Sequence, residues 1–189
     1  METYRLEITG IERELPYVAI DEKMAYASFV VIGDTQLITR AARELANKIG
    51  GTDVIMTAEA KGIALSYEIS RLLGMKEFIV ARKSVKSYMK NVIRERVRSI
   101  TTKEEQYLFL DEKDADKVNG KNICLVDDVI STGESLRAIE SLAIKTGGIV
   151  KYKAAILAEG QAANREDIIF LKKLPLFRIE DNGAYVEIL

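Results

Sequence analysis

Two adjacent carboxylates follow an apolar run in the middle of the chain and lead into a stretch of hydroxyl groups and glycine. The run 123–126 ends at Asp127 and Asp128, and the segment 129–135 is Val-Ile-Ser-Thr-Gly-Glu-Ser. The run predicts a buried strand, and Gly133 before a periodic segment predicts a helix start. Amides at a helix N-terminus bind anions, whereas paired carboxylates accept hydrogen bonds from a diol or hold hydrated magnesium.

A helix cap is the alternative explanation for these hydroxyl groups. Ser131 or Thr132 would cap the helix, with Glu134 or Ser135 in its first turn. Capping explains the hydroxyl groups but not two carboxylates at the end of a core strand. We therefore expect the loop to hold a phosphate beside a diol bound by the carboxylates, which is the pattern of a ribose 5-phosphate.

The composition limits the chemistry that is open to these residues. The chain of 189 residues has 28 basic and 29 acidic side chains, one cysteine and no histidine. Ser-His-Asp catalysis and zinc sites built on imidazole are therefore excluded. Cys124 lies in the apolar run, which predicts a buried thiol in a reducing compartment.

Met1 is followed by no signal segment, and no apolar run approaches the roughly 18 residues that cross a bilayer. We therefore expect a cytoplasmic protein without a membrane partner.

Strand-like and helical patterns alternate along most of the chain. Apolar runs predict buried strands at 54–57, 78–81, 123–126 and 153–158. Periodic segments predict helices at 34–48, 63–73, 134–145 and 162–173. This alternation predicts an α/β protein with a doubly wound, mainly parallel sheet. Ligands bind such sheets beyond the carboxyl ends of the strands, so the candidate loops are 58–62, 82–90, 127–135 and 159–165.

The first 33 residues have a different pattern. Strand-like pieces at 17–20 and 29–32 precede the first predicted helix, and we expect them to form a small flap, or hood, with parts of the C-terminal tail. Domains average about 150 residues, so we expect a single domain over residues 1–189.

The segment 126–133, Val-Asp-Asp-Val-Ile-Ser-Thr-Gly, resembles the phosphoribosyl-pyrophosphate motif of type I phosphoribosyltransferases. The resemblance implies that Asp127 and Asp128 bind the ribose hydroxyls and a magnesium ion, directly or through water, and are catalytic together with Lys83. It implies a 5-phosphate loop formed by Val129, Ile130, Ser131, Thr132, Gly133, Glu134 and Ser135. The family usually has Gly-Thr where this chain has Glu134-Ser135, a departure that keeps the hydroxyl group.

Three further segments resemble the purine branch of this family, which includes adenine, xanthine and archaeal hypoxanthine enzymes. The segment 57–63 is similar to the pyrophosphate loop, and Arg82-Lys83 is similar to a strand end that leads into a mobile lid, here 84–107. Ser99, Thr101 and Thr102 resemble the return strand of such lids. The resemblance implies pyrophosphate ligands at Glu59, Ala60, Lys61, Gly62, Lys83 and Lys86.

The fourth segment, around Glu159, resembles the part of purine enzymes that contacts the base. Together with the strand end before the lid, it implies base contacts at Ala81, Arg82 and Glu159. Xanthine enzymes have a stacking aromatic residue near this place, where this chain has Ala162 and Ala163, which counts against xanthine.

The four segments together imply a purine phosphoribosyltransferase that acts with magnesium. It would transfer the phosphoribosyl group of 5-phosphoribosyl-1-pyrophosphate to a purine base in purine salvage, with adenine the first choice and hypoxanthine or guanine next. The resemblance also implies a homodimer. The basic stretch from Arg82 to Arg98 leaves a second hypothesis open, a regulator that senses phosphoribosyl pyrophosphate and binds nucleic acid. No helix-turn-helix domain precedes that stretch, so nucleic acid is not the favoured partner.

Overall fold

The computed structural model describes residues 2–97 and 105–188. The strands in this part of the chain are β1 (Thr3–Ile8), β2 (Ile11–Ala19), β3 (Met24–Ala27), β4 (Val54–Ala58), β5 (Ile79–Ala81), β6 (Ile93–Val97), β7 (Gln106–Leu110), β8 (Asn122–Ile130), β9 (Ile149–Glu159), β10 (Ile169–Leu174), β11 (Leu176–Ile179) and β12 (Tyr185–Ile188). The helices are α1 (Thr35–Ala46), α2 (Ile63–Leu72), α3 (Glu112–Val118), α4 (Glu134–Lys145) and a 3-10 helix at Gly160–Asn164. None of the helices within the described ranges is long and apolar enough to cross a membrane.

A five-stranded parallel sheet forms the centre of the molecule. Its strand order is β10-β9-β8-β4-β5, and every neighbouring pair is parallel. Side chains of α1 and α2 pack on one face in one hydrophobic cluster, and those of α4 pack on the other face in a second cluster. The prediction of a doubly wound parallel sheet is therefore confirmed.

The strand order reverses between β4 and β8. The chain passes from β4 outward to β5 and later returns to place β8 on the other side of β4. The pairing of β4 with β8 ends at Thr57 and Val126, whereas β8 continues beside β9 as far as Ile130. The prediction of a strand at 123–126 is therefore too short, because β8 continues to pair with β9 over residues 127–130. From Asp127 onward, β8 borders a crevice where β4 would otherwise lie, which is where ligands bind in such sheets.

A second, antiparallel sheet joins both ends of the described chain. Its order is β1-β2-β3-β11-β12, and we call it the hood. The prediction of a strand at 29–32 is wrong, because the structure has no strand there. Phe29 and Val31 are buried while Val30 and Ile32 are exposed, so the alternation is present without the backbone pairing.

The segment expected to be a lid, 84–107, contains strand β6 and the first residues of β7. Strands β6 and β7 form an antiparallel hairpin, and Arg82 and Phe109 exchange two backbone hydrogen bonds of 2.8 Å that join the hairpin to the edge at β5. The Glu95 carboxylate on β6 accepts a hydrogen bond of 2.7 Å from Ser141 Oγ on α4. Ser99, Thr101 and Thr102 lie outside the described residues.

The prediction of a helix at 162–173 is also wrong. Only the 3-10 helix occurs there, and it is followed by β10, which pairs in parallel with β9. The run Ile168-Ile-Phe-Leu is rich in β-branched and aromatic residues, which suit an edge beside β9 better than a helix. Helix α3 was not expected, and the Asp111 side chain caps it by accepting a hydrogen bond from the Lys113 amide.

Candidate active site

The crevice between β4 and β8 opens into a cavity of about 700 Å³ at the carboxyl edge of the parallel sheet. Three of the four expected loops and the β6–β7 hairpin contribute to its walls. Lining residues from the loops include Glu59, Ala60, Lys61, Lys83, Asp127, Asp128, Val129 and Ser135. The hairpin adds Tyr107 and Phe109. Carboxylates, ammonium groups and aromatic rings therefore line one cavity.

The acid pair lies at the base of this cavity. Asp128 is only 3% exposed, and its Oδ2 atom has no hydrogen-bond donor among the described residues. Lys61 Nζ lies 3.5 Å from that atom. Asp127 Oδ1 accepts a hydrogen bond of 2.9 Å from the Asp128 amide. Burial, and then the neighbouring Asp128 charge, raise the pKa of Asp127 well above its ordinary value. A buried acid with an unused oxygen atom, next to a second acid whose charge is disfavoured, favours a ligand that brings donors or positive charge.

The loop after β8 is shaped for an anion. Gly133 has a φ of +77° and directly precedes α4. No side chain caps the helix start, so the explanation of Ser131 or Thr132 as a helix cap fails. The side chains of Ser131, Thr132 and Ser135 are exposed. Backbone amides at the positive end of the helix dipole and free hydroxyl groups together suit a phosphate.

The loop after β4 approaches β8 closely because residue 62 is glycine. A Cβ atom at Gly62 would collide with Thr57 Oγ1 and would lie 3.2 Å from the carbonyl oxygen of Val126. The absence of a side chain lets the loop lie against the end of β8, which places Lys61 beside Asp128. The backbone of this loop and the Lys61 ammonium group therefore face the acid pair.

Glu59 connects this loop to the end of β5. Its Oε2 atom accepts a hydrogen bond of 2.9 Å from the Lys83 amide, and Oε1 lies 3.3 Å from Arg82 Nη2. Its own amide donates to the carbonyl oxygen of Ala81 at 2.9 Å. The carboxylate is thus used within the protein, and it fixes the start of the segment that carries Lys83 into the cavity.

The remaining predicted site residues do not line the cavity. Ala81 and Ile130 are buried, and Arg82 is held by Glu59. Lys86 Nζ donates to Ser84 Oγ at 2.6 Å. Glu159 lies at the end of β9, where burial raises the pKa of its carboxyl group. The structure therefore brings together the acid pair, Lys61, Lys83 and part of the loop 129–135. It places the expected base contacts beside this space rather than in it.

A family model, described as the phosphoribosyl transferase domain, matches residues 31–182. The chain belongs to this family. The match spans all four segments on which the resemblance was based, and that prediction is confirmed. A search of curated protein sequences gave no significant match.

Solved phosphoribosyltransferases share the fold at low sequence identity. The adenine phosphoribosyltransferase of Thermoanaerobacter pseudethanolicus superposes with a TM-score of 0.68 at 20% identity, over 84% of this chain and 95% of that one. The enzyme of Saccharomyces cerevisiae, complexed with an imino-altritol bisphosphate and adenine, gives 0.66 at 16% identity, over 83% and 93%. The enzyme of Trypanosoma brucei, in complex with AMP, pyrophosphate and ribose-5-phosphate, gives 0.60 at 18% identity, over 76% and 67%.

Two arginines beside the loop 129–135 of this phosphoribosyltransferase domain were not predicted as site residues. Arg137 Nη2 donates to the carbonyl oxygen of Thr132 at 3.0 Å and pairs with Glu134. Arg165 approaches Gly133 from the loop after β9. The spacing of Glu134 and Arg137 was a usable signal, because residues three apart on a helix are neighbours. Arg165 ends the candidate loop 159–165, but its contact with Gly133 gave no local signal, since that contact depends on how two strand ends meet.

Proposed function

We propose that this protein transfers the phosphoribosyl group of 5-phosphoribosyl-1-pyrophosphate to a purine base, with adenine as the preferred base. The products would be a nucleoside monophosphate and pyrophosphate, as in purine salvage. The observation that carries the proposal is the position of the buried acid pair between two anion-binding loops. Asp127 and Asp128 have the Gly133 loop on one side along the chain and Lys61 of the other loop within 3.5 Å of Asp128.

The order of these groups fits the order of charges in the substrate. Phosphoribosyl pyrophosphate has a phosphate at one end, a diol in the middle and a pyrophosphate at the other end. The loop 129–135 would hold the 5-phosphate through amides and hydroxyl groups. Asp127 and Asp128 would accept hydrogen bonds from the diol, and the loop 59–62 with Lys83 would hold the pyrophosphate.

The reaction would exchange one bond at C1 of the ribose for another. A ring nitrogen of the base attacks C1, the bond from C1 to the pyrophosphate oxygen breaks, and the electron pair leaves with pyrophosphate. The proton of that nitrogen passes to water or to the released pyrophosphate as the new bond forms. Positive charge develops on the ribose ring in the transition state, next to Asp127 and Asp128, while negative charge develops beside Lys61 and Lys83. Preorganised charges of this kind are an efficient means of catalysis.

Magnesium fits the acid pair as a partner of the substrate. Asp128 Oδ2 is buried and lacks a donor, and hard oxygen ligands suit the ion. The described part of the chain contains no cluster of three or more potential metal ligands, so the phosphates and water would complete the coordination. The ion would neutralise charge on the leaving pyrophosphate. Lys83 and the walls of the cavity would orient the substrate and exclude water.

The choice of adenine is supported by the adenine enzymes that share the fold. Their low identity leaves the base as a proposal. The base contacts would come from Ala81, Arg82 and Glu159, whereas Lys86 at the start of the lid would contact the pyrophosphate.

Steady-state assays with phosphoribosyl pyrophosphate, magnesium and a panel of purine bases test the proposal. We expect pyrophosphate release that depends on the base and is fastest with adenine. The double variant D127N/D128N should abolish turnover and leave the circular dichroism spectrum unchanged. Substitution of Asp116, an exposed acid on α3, by Asn is the matched control and should not change turnover.

Failure of every base to react, with tight binding of phosphoribosyl pyrophosphate retained, would overturn the proposal in favour of the regulator. The structure gives the regulator less support than the sequence does. Arg82 pairs with Glu59, Arg96 pairs with Glu105 at 3.0 Å, and Arg94 lies over the Tyr107 ring. Two cations of the basic stretch are thus paired with carboxylates, which lowers the net positive charge that this surface offers to nucleic acid.

A further inference from the structure

Arg165 reaches the phosphate loop from a different strand end. It follows the 3-10 helix after β9, whereas the loop follows β8. A Cβ atom at Gly133 would lie 2.7 Å from Arg165 Nη1. The guanidinium group therefore covers the glycine that precedes α4, and only a glycine leaves room for it.

One edge of this guanidinium group is fixed by a carboxylate. Arg165 Nε donates to Asp167 Oδ1 at 2.8 Å, and Nη2 donates to Asp167 Oδ2 at 2.7 Å. Such two-point pairing sets the plane of the group as well as its position. The Arg165 guanidinium, followed by Lys153, holds the pKa of Asp167 well below its usual range, so the pair stays ionised at neutral pH.

Asp167 is itself held from a third element. Lys153 Nζ on β9 lies 3.1 Å from Asp167 Oδ2 and 2.8 Å from Glu140 Oε1 on α4. The chain of charges thus runs from the helix behind the phosphate loop, through β9, to Arg165. It orients the guanidinium group before any ligand arrives.

The remaining edge of Arg165 has no acceptor. Nη1 makes no hydrogen bond within residues 2–97 and 105–188. Arg137 differs, because it donates to the carbonyl oxygen of Thr132 and pairs with Glu134, and so braces the loop from within. Of these two arginines at the loop, Arg165 lies closer to Gly133, because its unused Nη1 would be 2.7 Å from a Cβ atom there, whereas Arg137 Nη1 would be 4.0 Å away.

We propose that Arg165 is a direct ligand of the 5-phosphate of the ribose and that Asp167 positions it. This inference rests on the proposed function, because the loop would otherwise have no phosphorylated ribose to bind. A preoriented guanidinium group suits a phosphate oxygen, since little side-chain freedom is lost on binding. The protein would then favour 5-phosphorylated ribose by a charge that the loop itself lacks.

The variant Arg165→Gln tests the proposal by calorimetric titration with ribose 5-phosphate. Loss of charged hydrogen bonds should weaken binding about ten- to hundredfold. Pyrophosphate, titrated in the presence of saturating ribose 5-phosphate, should bind both proteins equally, because it would occupy the other loop. Arg165→Lys should restore part of the loss, and Asp167→Asn should give an intermediate loss that also spares pyrophosphate.

Arg71→Gln is the matched control. Arg71 forms an equally close two-point pair with Glu68 on α2, far from the loop in the fold, and its loss should not change either titration. Unchanged ribose 5-phosphate binding in Arg165→Gln would overturn the inference, as would an equal loss for pyrophosphate. Absence of ribose 5-phosphate binding by the unaltered protein would instead contradict the proposed function on which the inference rests.

Discussion

The carboxyl group of Asp127 lies in surroundings that disfavour its charge. Burial and the adjacent Asp128 raise its pKa in the folded protein, whereas the unfolded chain gives it an ordinary value near 4. Above the raised pKa, the ionised group destabilises the fold, and this destabilisation is relieved as the pH falls toward the unfolded value. The charge of Asp127 therefore does not stabilise the fold.

Asp127→Asn should accordingly stabilise the protein while removing its activity. The amide keeps an oxygen atom that accepts the hydrogen bond from the Asp128 amide, and it removes the charge. We expect a gain of about 1 to 3 kcal/mol in the free energy of unfolding at pH 8, shrinking toward zero near pH 4. Urea unfolding at several pH values measures this. Asp116→Asn should change the free energy little, and a loss of stability in Asp127→Asn at pH 8 would contradict the explanation.

Single residues of the site differ in how well the sequence predicts them. The acid pair and Gly133 were predictable because their chemistry is local to one strand, one turn and one helix start. Glu59 was expected to bind pyrophosphate, but its carboxylate holds Arg82 and the Lys83 amide. That pairing depends on β4 and β5 being neighbours, which a one-dimensional pattern does not contain. The contact of Arg165 with Gly133 depends on β8 and β9 in the same way.

At the scale of elements, the β6–β7 hairpin is attached to α4, the helix that follows the loop 129–135. The Glu95 carboxylate accepts hydrogen bonds from Lys145 Nζ and Ser141 Oγ, both on α4. These two donors, Lys145 first, lower the pKa of Glu95. A lowered pKa in the folded state means that the attachment is at full strength above the ordinary glutamate value and is lost as the pH falls through the lowered value.

Glu95→Gln should loosen the hairpin without unfolding the sheet behind it. The pair is partly exposed, so its contribution is about 1 kcal/mol or less. We expect amide hydrogen exchange in β6 and β7 to rise roughly two- to fivefold, with β8 and β9 unchanged. Lys145→Met should give a similar increase. As a control, Glu14→Gln removes an exposed pair with Arg5 in the hood and should leave hydrogen exchange in the hairpin unchanged. Equal rates of amide hydrogen exchange in β6 for all three variants would exclude the attachment.

Elements were predictable where their own pattern agrees with their surroundings. The segments 34–48, 63–73 and 134–145 are amphipathic and became α1, α2 and α4 with small shifts at their ends. The segment 162–173 was not predictable in this way, because a free edge of β9 was available to pair with it. At 29–32 the buried and exposed side chains alternate as in a strand. No strand forms there, because no neighbouring strand lies beside this segment to pair with its backbone. In both segments, the neighbouring elements in the fold determined the secondary structure.

At the scale of the whole molecule, the hood and the parallel sheet share one hydrophobic core. Leu6 and Ile8 of β1 and Phe177 of β11 belong to the same buried cluster as Ile55 of β4 and Cys124 of β8. The Phe177 ring lies 5.0 Å from the ring of Tyr4 and 4.8 Å from that of Tyr17, measured between centroids. Because the core is continuous, the hood should not melt separately, although its strands come from both ends of the chain.

Phe177→Ala should therefore lower the stability of the entire chain in a single transition. The side chain is 2% exposed, and loss of a buried phenylalanine reduces the free energy of unfolding by about 3 to 5 kcal/mol. For a chain of this length, the melting temperature should fall by roughly 6 to 20 °C. Calorimetry should give one peak whose calorimetric and van't Hoff enthalpies agree. Val186→Ala, at a 40% exposed position of the same sheet, should shift the peak much less. Two peaks, with only the first displaced by Phe177→Ala, would show instead that the hood is a separate unit closing over the site.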